Sequence, residues 1–312
     1  MSDAGVTVVI VNWNAGGLLD ACLHSLKRAR PSLGFPAEVI VVDNASSDGS
    51  ASDIDATGDL QLVRNVDNRG FGAACNQGAT LAHQPYLLFL NPDCEIEAGS
   101  IVACRTVLEN RPDIGVAGIA LLSRDGNVSR SCHRFPAVWH LIARSLGLTA
   151  LLPALPDGSM RDWAHDQTRL VDHVIGAFYM VRTDEFRRLG GFDERFFVYL
   201  EDLDLSLRFR GVGLATQFIA EPASFHVGGG TSSKAIGERL FYSTRSRIQY
   251  AFKHFPSWQA WLHLGLTLFA EPLVRTIERV ARGHLPDARS VWRGFGLLYA
   301  DLPRVLRERN DR

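Results

Sequence analysis

The chain lacks any apolar run near the roughly eighteen residues that a bilayer-spanning helix needs. The nearest stretch, Trp258 to Val274, is interrupted by His263, Glu271 and Pro272, which leaves room for an interfacial helix only. Cysteine is sparse and unpatterned. Cys22, Cys75, Cys94, Cys104 and Cys132 form no CxxC pair and no even framework, so neither a structural zinc nor a disulfide scaffold is expected, and a reducing compartment is. The start, Met1-Ser2-Asp3-Ala4-Gly5, has no basic segment followed by an apolar one, and a cytoplasmic chain is the expectation. Net charge is nearly absent too, at −1, which argues against a dedicated nucleic-acid binder. No Walker lysine pattern occurs, and Gly70-Phe71-Gly72 has Cys75 where a dinucleotide fingerprint needs its third glycine. A P-loop kinase and a nicotinamide enzyme are thereby disfavoured. There is no internal repeat and no low-complexity tract.

What is present is an ordinary core-forming composition, 46% apolar over 312 residues, enough for a large α/β domain with a helical appendage. The chain is organised around Tyr86-Leu87-Leu88-Phe89-Leu90-Asn91-Pro92-Asp93. Its apolar run predicts a strand buried on both faces, stopped by a proline that cannot continue the ladder. Strands are also predicted at Thr7–Val11, Glu38–Val42, Leu60–Arg64, Ile114–Leu122, Leu170–Arg182 and Leu214–Ile219. Helices fall between them, one after Gly72 and one over Ser100–Asn110 with Ser100 as its N-cap. Strand and helix alternating from residue 6 to about 120 imply βαβ units and a mainly parallel sheet with helices on both faces. Ligands bind such sheets at the carboxyl ends of the strands, and Asn12, Asp43, Asn68 and Asp93 all fall just past strand ends. The alternative for each is a plain turn.

Residues 131–169, with Pro136, Pro153 and Pro156 around a predicted helix Val138–Leu148, read as a lid or acceptor-side insertion. Further on, Phe197-Val198-Tyr199-Leu200-Glu201-Asp202-Leu203-Asp204 puts three carboxylates at the start of a helix running to about Arg210. Capping and the helix dipole account for Glu201 and Asp204 without any function. Asp202, following Phe196, Phe197, Tyr199 and Leu200, suits a general base held out of bulk water. His226, before three glycines, is a candidate metal ligand or a plain hydrogen-bonding residue. Asp93 and Glu95 share a face if the chain stays extended, an oxygen-rich pair suited to Mg²⁺ or Mn²⁺.

Six motifs in order, Val-Ile-Val-Asn-Trp-Asn, Val-Ile-Val-Val-Asp-Asn-Ala-Ser-Ser-Asp-Gly-Ser, Asn-Arg-Gly-Phe-Gly, Leu-Asn-Pro-Asp, Gly-Gly-Phe-Asp-Glu-Arg-Phe-Phe and Glu-Asp-Leu-Asp-Leu, together resemble the family 2 glycosyltransferases. The likeness covers residues 6 to about 255 and is greatest to bacterial rhamnosyltransferases that build cell-surface polysaccharide. It implies a GT-A fold, a nucleotide-diphospho-sugar donor such as dTDP-rhamnose, a divalent cation (Mg²⁺ or Mn²⁺), a lipid-linked saccharide acceptor and inversion at the anomeric carbon. Carried over by position, Asp43 would meet the nucleobase, Asp93 the metal and Asp202 the acceptor hydroxyl. Asn12, Asn68 and Arg69 would line the nucleotide pocket, and His226 would complete the metal shell. Asn91 stands in the first place of a motif that often shows two aspartates.

The expected organisation is a catalytic domain over residues 1–255, with a nucleotide-binding half at 6–122 and an acceptor-side half at 123–255, then an amphipathic helical segment at 256–312. Residues 231–312 hold 14 Lys and Arg against 7 Asp and Glu, with aromatics interleaved. Such a segment suits peripheral contact with an anionic membrane on the inner face of the cell membrane better than nucleic acid, the alternative being helices packed on the catalytic domain. Two rival functions stand beside the transferase: a catalytically silent sugar-nucleotide binder, and a nucleotidyltransferase, whose glycine-rich, lysine-bearing loop is missing after Val11.

Overall fold

The computed structural model describes residues 4–56, 58–151, 158–160, 162–228, 236–283 and 285–309. Its first half runs β1 (Val6–Asn12), α1 (Gly17–Ala29), β2 (Ala37–Asp43), β3 (Leu60–Arg64), α2 (Phe71–Thr80), β4 (Tyr86–Leu90), β5 (Cys94–Glu95), α3 (Ala98–Asn110) and β6 (Ile114–Leu122). There follow β7 (Val128–Ser129), β8 (Cys132–His133), α4 (Val138–Ser145), α5 (Leu148–Leu151), β9 (Arg169–Val171), β10 (His173–Val174), β11 (Phe178–Arg182), α6 (Thr183–Arg188), α7 (Glu201–Gly211) and β12 (Ala215–His226). Four helices close the chain: α8 (Ile236–His254), α9 (Ser257–Phe269), α10 (Glu271–Ala281) and α11 (Leu285–Glu308).

The chain divides into two compact units, the first made of Met1–Arg134, Met160–Glu194 and Glu201–Thr231. Its sheet has the order β3-β2-β1-β4-β11-β6-β12-β5, with β1 to β4 parallel as expected and β11 inserted antiparallel between β4 and β6. Period-two alternation sorts the side chains of β1: Val6, Val8 and Ile10 join one apolar cluster with Leu19 of α1 and Ile101 of α3, while Val9 and Val11 join another with Ala74 of α2 and Phe209 of α7. Helices therefore cover both faces, which is why the central strands read as unbroken apolar runs. Helix α2 lies so close to the sheet that a Cβ on Gly78 would stand 2.5 Å from Val9 Cγ1.

Three elements depart from expectation. Helix α3 starts at Ala98, so Ser100 is inside its first turn rather than at its cap, buried and hydrogen-bonded to Ala223 O at 3.3 Å. The strand expected over Leu170–Arg182 is broken into β9, β10 and β11, interrupted at Gly176, whose N–H is taken by a side chain instead of a ladder. Strand β12 runs seven residues past Ile219, with a register shift between Ile219 and Ser224, beyond which it pairs with β6 again and also takes up β5 at Phe225 and His226. Pro153, Pro156, Gly229 and Gly230 lie outside the described residues.

The second unit comprises Phe135–Ser159, Arg195–Leu200 and Ser232–Arg312, so α8 groups with the C-terminal helices. It has its own apolar core, with Leu141, Ile248, Leu264, Val291, Phe295 and Leu298 among its members. The Glu271-Pro272 break in the apolar run becomes the start of α10. There the fully buried Glu271 accepts hydrogen bonds from Arg247 at 2.7 Å, Arg275 at 2.8 Å and Ser145 at 2.9 Å. Burial would raise its carboxyl, but the two guanidiniums hold it down at about 2. Ahead of Glu201, Tyr199 and Leu200 both take positive φ, 71° and 68°, in the left-handed region that bulky residues avoid.

Candidate functional site

Parallel pairing puts the ends of β1 and β2 side by side, with Asn12 opposite Asp43 in register. Asn12 Nδ2 lies 2.8 Å from Asp43 Oδ1, 3.0 Å from Ser46 Oγ and 2.9 Å from Ser50 Oγ, so the dense turn after β2 is tied to the end of β1. Both side chains are buried, and Asn12 Oδ1 has no partner among the described residues. The next polar stop is joined through a residue the sequence reading passed over. Asn44 Nδ2 donates to Asn68 Oδ1 at 2.8 Å, and Asn44 Oδ1 accepts from the Arg69 N–H at 3.1 Å. Gly70, at φ 88°, turns the chain into α2 while its N–H bonds Asn68 Oδ1. Asn12, Asp43, Asn68 and the backbone of Arg69 thus form one hydrogen-bonded rim, and the Arg69 side chain is exposed.

Past β4, Asp93 Oδ1 stands 3.2 Å from His226 Nε2, both side chains mostly buried. The short antiparallel pairing of β12 with β5 brings them together, and the Val227 N–H bonds Asp93 O at 3.0 Å. A cavity of about 280 Å³ opens here, lined by Asp93, Glu95, Arg124, Phe225 and His226 among others. The donor set fits a divalent cation: a carboxylate oxygen and an imidazole nitrogen within reach of one point, with a second carboxylate in the same cavity. Cys94 Sγ also lies near, but that thiol donates to Ala177 O at 3.4 Å and is pushed well above the usual thiol range by burial and by the charge of Asp93. With that thiol turned to Ala177 O, the donors that line the cavity are hard oxygen and nitrogen, a set suited to Mg²⁺ or Mn²⁺.

The acidic cluster of α7 separates into three roles. Asp204, fully buried, is paired with Arg208 at 2.8 Å, and that arginine also donates to Leu189 O and Gly191 O, a packing function. Glu201 is buried with Oε2 unpartnered among the described residues; burial and the charges of Asp202 and Asp204 push its carboxyl well above the usual range, toward the neutral form. Asp202 behaves in the opposite way. Oδ2 accepts the Gly176 N–H at 2.6 Å and lies 3.5 Å from His173 Nε2, and Oδ1 accepts the Leu203 N–H at 2.8 Å. Burial opposes ionisation, but His173 and the two amides outweigh it, and Asp202 sits below the usual carboxylate value. The two adjacent carboxyl groups are thus pushed in opposite directions, Glu201 toward the neutral acid and Asp202 toward the anion.

His173, Gly176 and Ser206 were not singled out by sequence reasoning. Ser206 Oγ lies 3.0 Å from His173 Nδ1 and 2.9 Å from the Tyr179 hydroxyl, behind Asp202. The glycine at 176 was legible as a break in an apolar run; the histidine beside it carried no periodic signal. One further link joins the two aspartates. The Asn91 N–H bonds Ala177 O at 3.0 Å, so the segment Gly176-Ala177 is tied to the chain leading to Asp93 on one side and to Asp202 on the other.

The family model described as glycosyl transferase family 2 matches residues 7–163. The N-acetylglucosaminyl-diphospho-decaprenol L-rhamnosyltransferase of Mycobacterium tuberculosis is 28% identical over 298 residues, 88% of this chain and 94% of the relative. The rhamnosyltransferase WbbL of Escherichia coli strain K12 is 26% identical over 172 residues, 54% of this chain and 62% of the relative. Among solved structures, the mannosyltransferase PcManGT from Pyrobaculum calidifontis, in complex with GDP-Man and Mn²⁺, superimposes with TM-score 0.53 at 17% identity, over 94% of this chain and 79% of that one. GalNAc-T7 with UDP, GalNAc and Mn²⁺ gives TM-score 0.56 at 17% identity, over 80% and 47%. These structural likenesses concern the fold.

Proposed function

The chain belongs to glycosyl transferase family 2, and from that premise we propose that it moves L-rhamnose from dTDP-rhamnose, with inversion, to a hydroxyl of a lipid-linked saccharide. The observation that carries the reading is the segment Gly176-Ala177, which holds the Asp202 carboxylate by one amide and accepts the Asn91 N–H just ahead of Asp93 at the carboxyl end of β4. Rhamnosyltransferase relatives support the sugar, and the Mycobacterium tuberculosis relative, named for a diphospho-decaprenol acceptor, supports the lipid.

Asn12, Asp43, Asn68 and Arg69 are assigned to the nucleotide, with the unpartnered Asn12 Oδ1 an acceptor suited to a base N–H. Asp93 and His226 would hold Mg²⁺ or Mn²⁺, which when bound supplies positive charge against the leaving diphosphate. Asp202 takes the proton of the acceptor hydroxyl as its oxygen attacks the anomeric carbon. Its two amide bonds and His173 keep it ionised and aimed, and no covalent enzyme intermediate is required.

No helix among the described residues is long and apolar enough to cross a membrane. Peripheral contact with an anionic leaflet is supported by exposed Trp258, Trp261, Leu262 and Phe269 on α9 and by Leu273, Ile277 and Val280 along one face of α10, beside the basic charge of this region. The deciding experiment is transfer from a panel of nucleotide sugars with Mg²⁺ or Mn²⁺. Turnover of dTDP-rhamnose above all others is expected; turnover of another sugar replaces the donor, and tight binding with neither transfer nor hydrolysis turns the protein into a silent binder.

A further inference from the structure

The cavity of about 280 Å³ beside Asp93 and His226 is also lined by a guanidinium, that of Arg124. Leu122, Phe225 and Glu95 stand in register across β6, β12 and β5, and Arg124 follows two positions past Leu122, in the turn that leads to β7. That turn is a fixed one. The Ser123 N–H bonds Asn127 O and the Gly126 N–H bonds Ser123 O, both at 2.9 Å, and Gly126 takes a φ of 78° that a larger residue would resist. The acid next to Arg124, Asp125, is spent inside the turn, accepting from Ser123 Oγ and Asn127 Nδ2. Arg124 itself is exposed, and among the described residues it has neither an ion pair nor a hydrogen bond.

Charge narrows what such a cation is for. The described lining carries two carboxylates, Asp93 and Glu95, against this one guanidinium. With Mg²⁺ or Mn²⁺ bound, the two carboxylates are offset and the cavity is near neutral toward a diphosphate; Arg124 tips it to positive. A guanidinium also presents paired N–H donors that match the oxygens of a phosphate. As the bond from sugar to phosphate breaks, negative charge grows on the phosphate that carried the sugar, so a cation fixed there counts for more in the transition state than in the ground state. We propose that Arg124 binds the sugar-bearing phosphate of the donor and separates nucleoside diphosphates from monophosphates at this site. The proposal rests on the transferase reading for its donor class, and it adds to that reading a residue that none of the six motifs contains.

The test reads binding rather than turnover. The Mn²⁺-loaded full-length protein is titrated calorimetrically with the mono- and diphosphates of thymidine, uridine and guanosine, and the base that binds is carried forward. The wild type is expected to prefer the diphosphate. Arg124→Gln should weaken the diphosphate by about tenfold to a hundredfold, as loss of a charge-assisted hydrogen bond does, and leave the monophosphate unmoved. Arg124→Lys, which keeps the charge and loses the fork, should recover part of the loss. Mn²⁺ titrated into nucleotide-free protein should bind Arg124→Gln no more weakly than the wild type. Geranyl diphosphate, with the same two phosphates and no base, checks the lipid-linked acceptor as the rival source of the anion. Unchanged affinity of Arg124→Gln for the nucleoside diphosphate, equal weakening of mono- and diphosphate, weakened Mn²⁺, or a loss confined to geranyl diphosphate would each overturn the assignment and leave the transferase reading standing. A wild type that binds none of the three nucleoside diphosphates would bring down that reading, and the assignment with it.

Discussion

The sheet unit holds two Asp–His pairs, and their surroundings make them different tools. At Asp93 and His226 the carboxylate and imidazole, 3.2 Å apart, open onto a cavity shared with Glu95, and no amide is seen bonding the Asp93 carboxylate among the described residues. At Asp202 and His173 the carboxylate is anchored instead, with an amide on each oxygen, the histidine beside Oδ2 fixed from behind by Ser206, and a lone pair of Oδ1 left to take a proton. The first arrangement leaves lone pairs for a cation; the second fixes an anion in place and in orientation. On the proposed reading, identical residue types at similar separation are divided between metal and proton work by what surrounds them, an open cavity at one pair and backbone amides at the other.

The sharpest break of that contrast is Asp202→Asn, which should cut kcat by about 10²–10⁴-fold while leaving the Kd for the nucleotide sugar nearly unchanged. Wild-type kcat in this variant would remove Asp202 from the chemistry. Asp93→Asn should act at the other pair. Its apparent affinity for Mn²⁺, followed by metal titration of activity, should weaken by at least about 10–100-fold, the effect of losing even an outer partner of a metal.

His173→Gln is expected to be milder, with a smaller loss of kcat that comes from lost orientation of the base rather than from lost ionisation. Its pH profile carries the diagnosis. Asp202 is held below the usual carboxylate value, so the acid limb of kcat/KM lies low in the wild type; removal of the histidine should move that limb upward. A uniform loss at every pH would make His173 a packing residue only.

The smallest effect belongs to Glu201→Gln. Because the folded-state value of Glu201 is raised, its contribution favours folding below the usual carboxylate value and is lost as pH rises through the raised one. The variant should therefore flatten the fall of Tm on the alkaline side of about pH 5, where an unfolded Glu is ionised. An unchanged slope would mean that Glu201 reaches a partner when ionised.

Much of this was legible in the sequence. Strands β1, β2, β4 and β6 fall within a residue of their expected limits, because a strand buried on both faces writes itself as a continuous apolar run ending in polar turn residues. Asn12, Asp43 and Asn68 also come together on one rim, which parallel order dictates. What escaped was information carried by neighbours far away in the chain. The antiparallel entry of β11 depends on where the 131–177 excursion returns, and no local pattern encodes that. The pairing of Asp204 with Arg208 could be read from an i,i+4 spacing, whereas the approach of His173 to Asp202 is a tertiary event across 29 positions.

Tyr199 and Leu200, wound into the left-handed region one step before Glu201, carry a last consequence. Each left-handed non-glycine residue costs about 1–2 kcal/mol, so the entry to α7 behaves as a cocked spring whose tension the surrounding packing must restrain. Replacing Leu200 with glycine would slacken it. Relaxing that joint should make the protein harder to melt and slower to turn over, the trade expected wherever a fold keeps its reactive group under load.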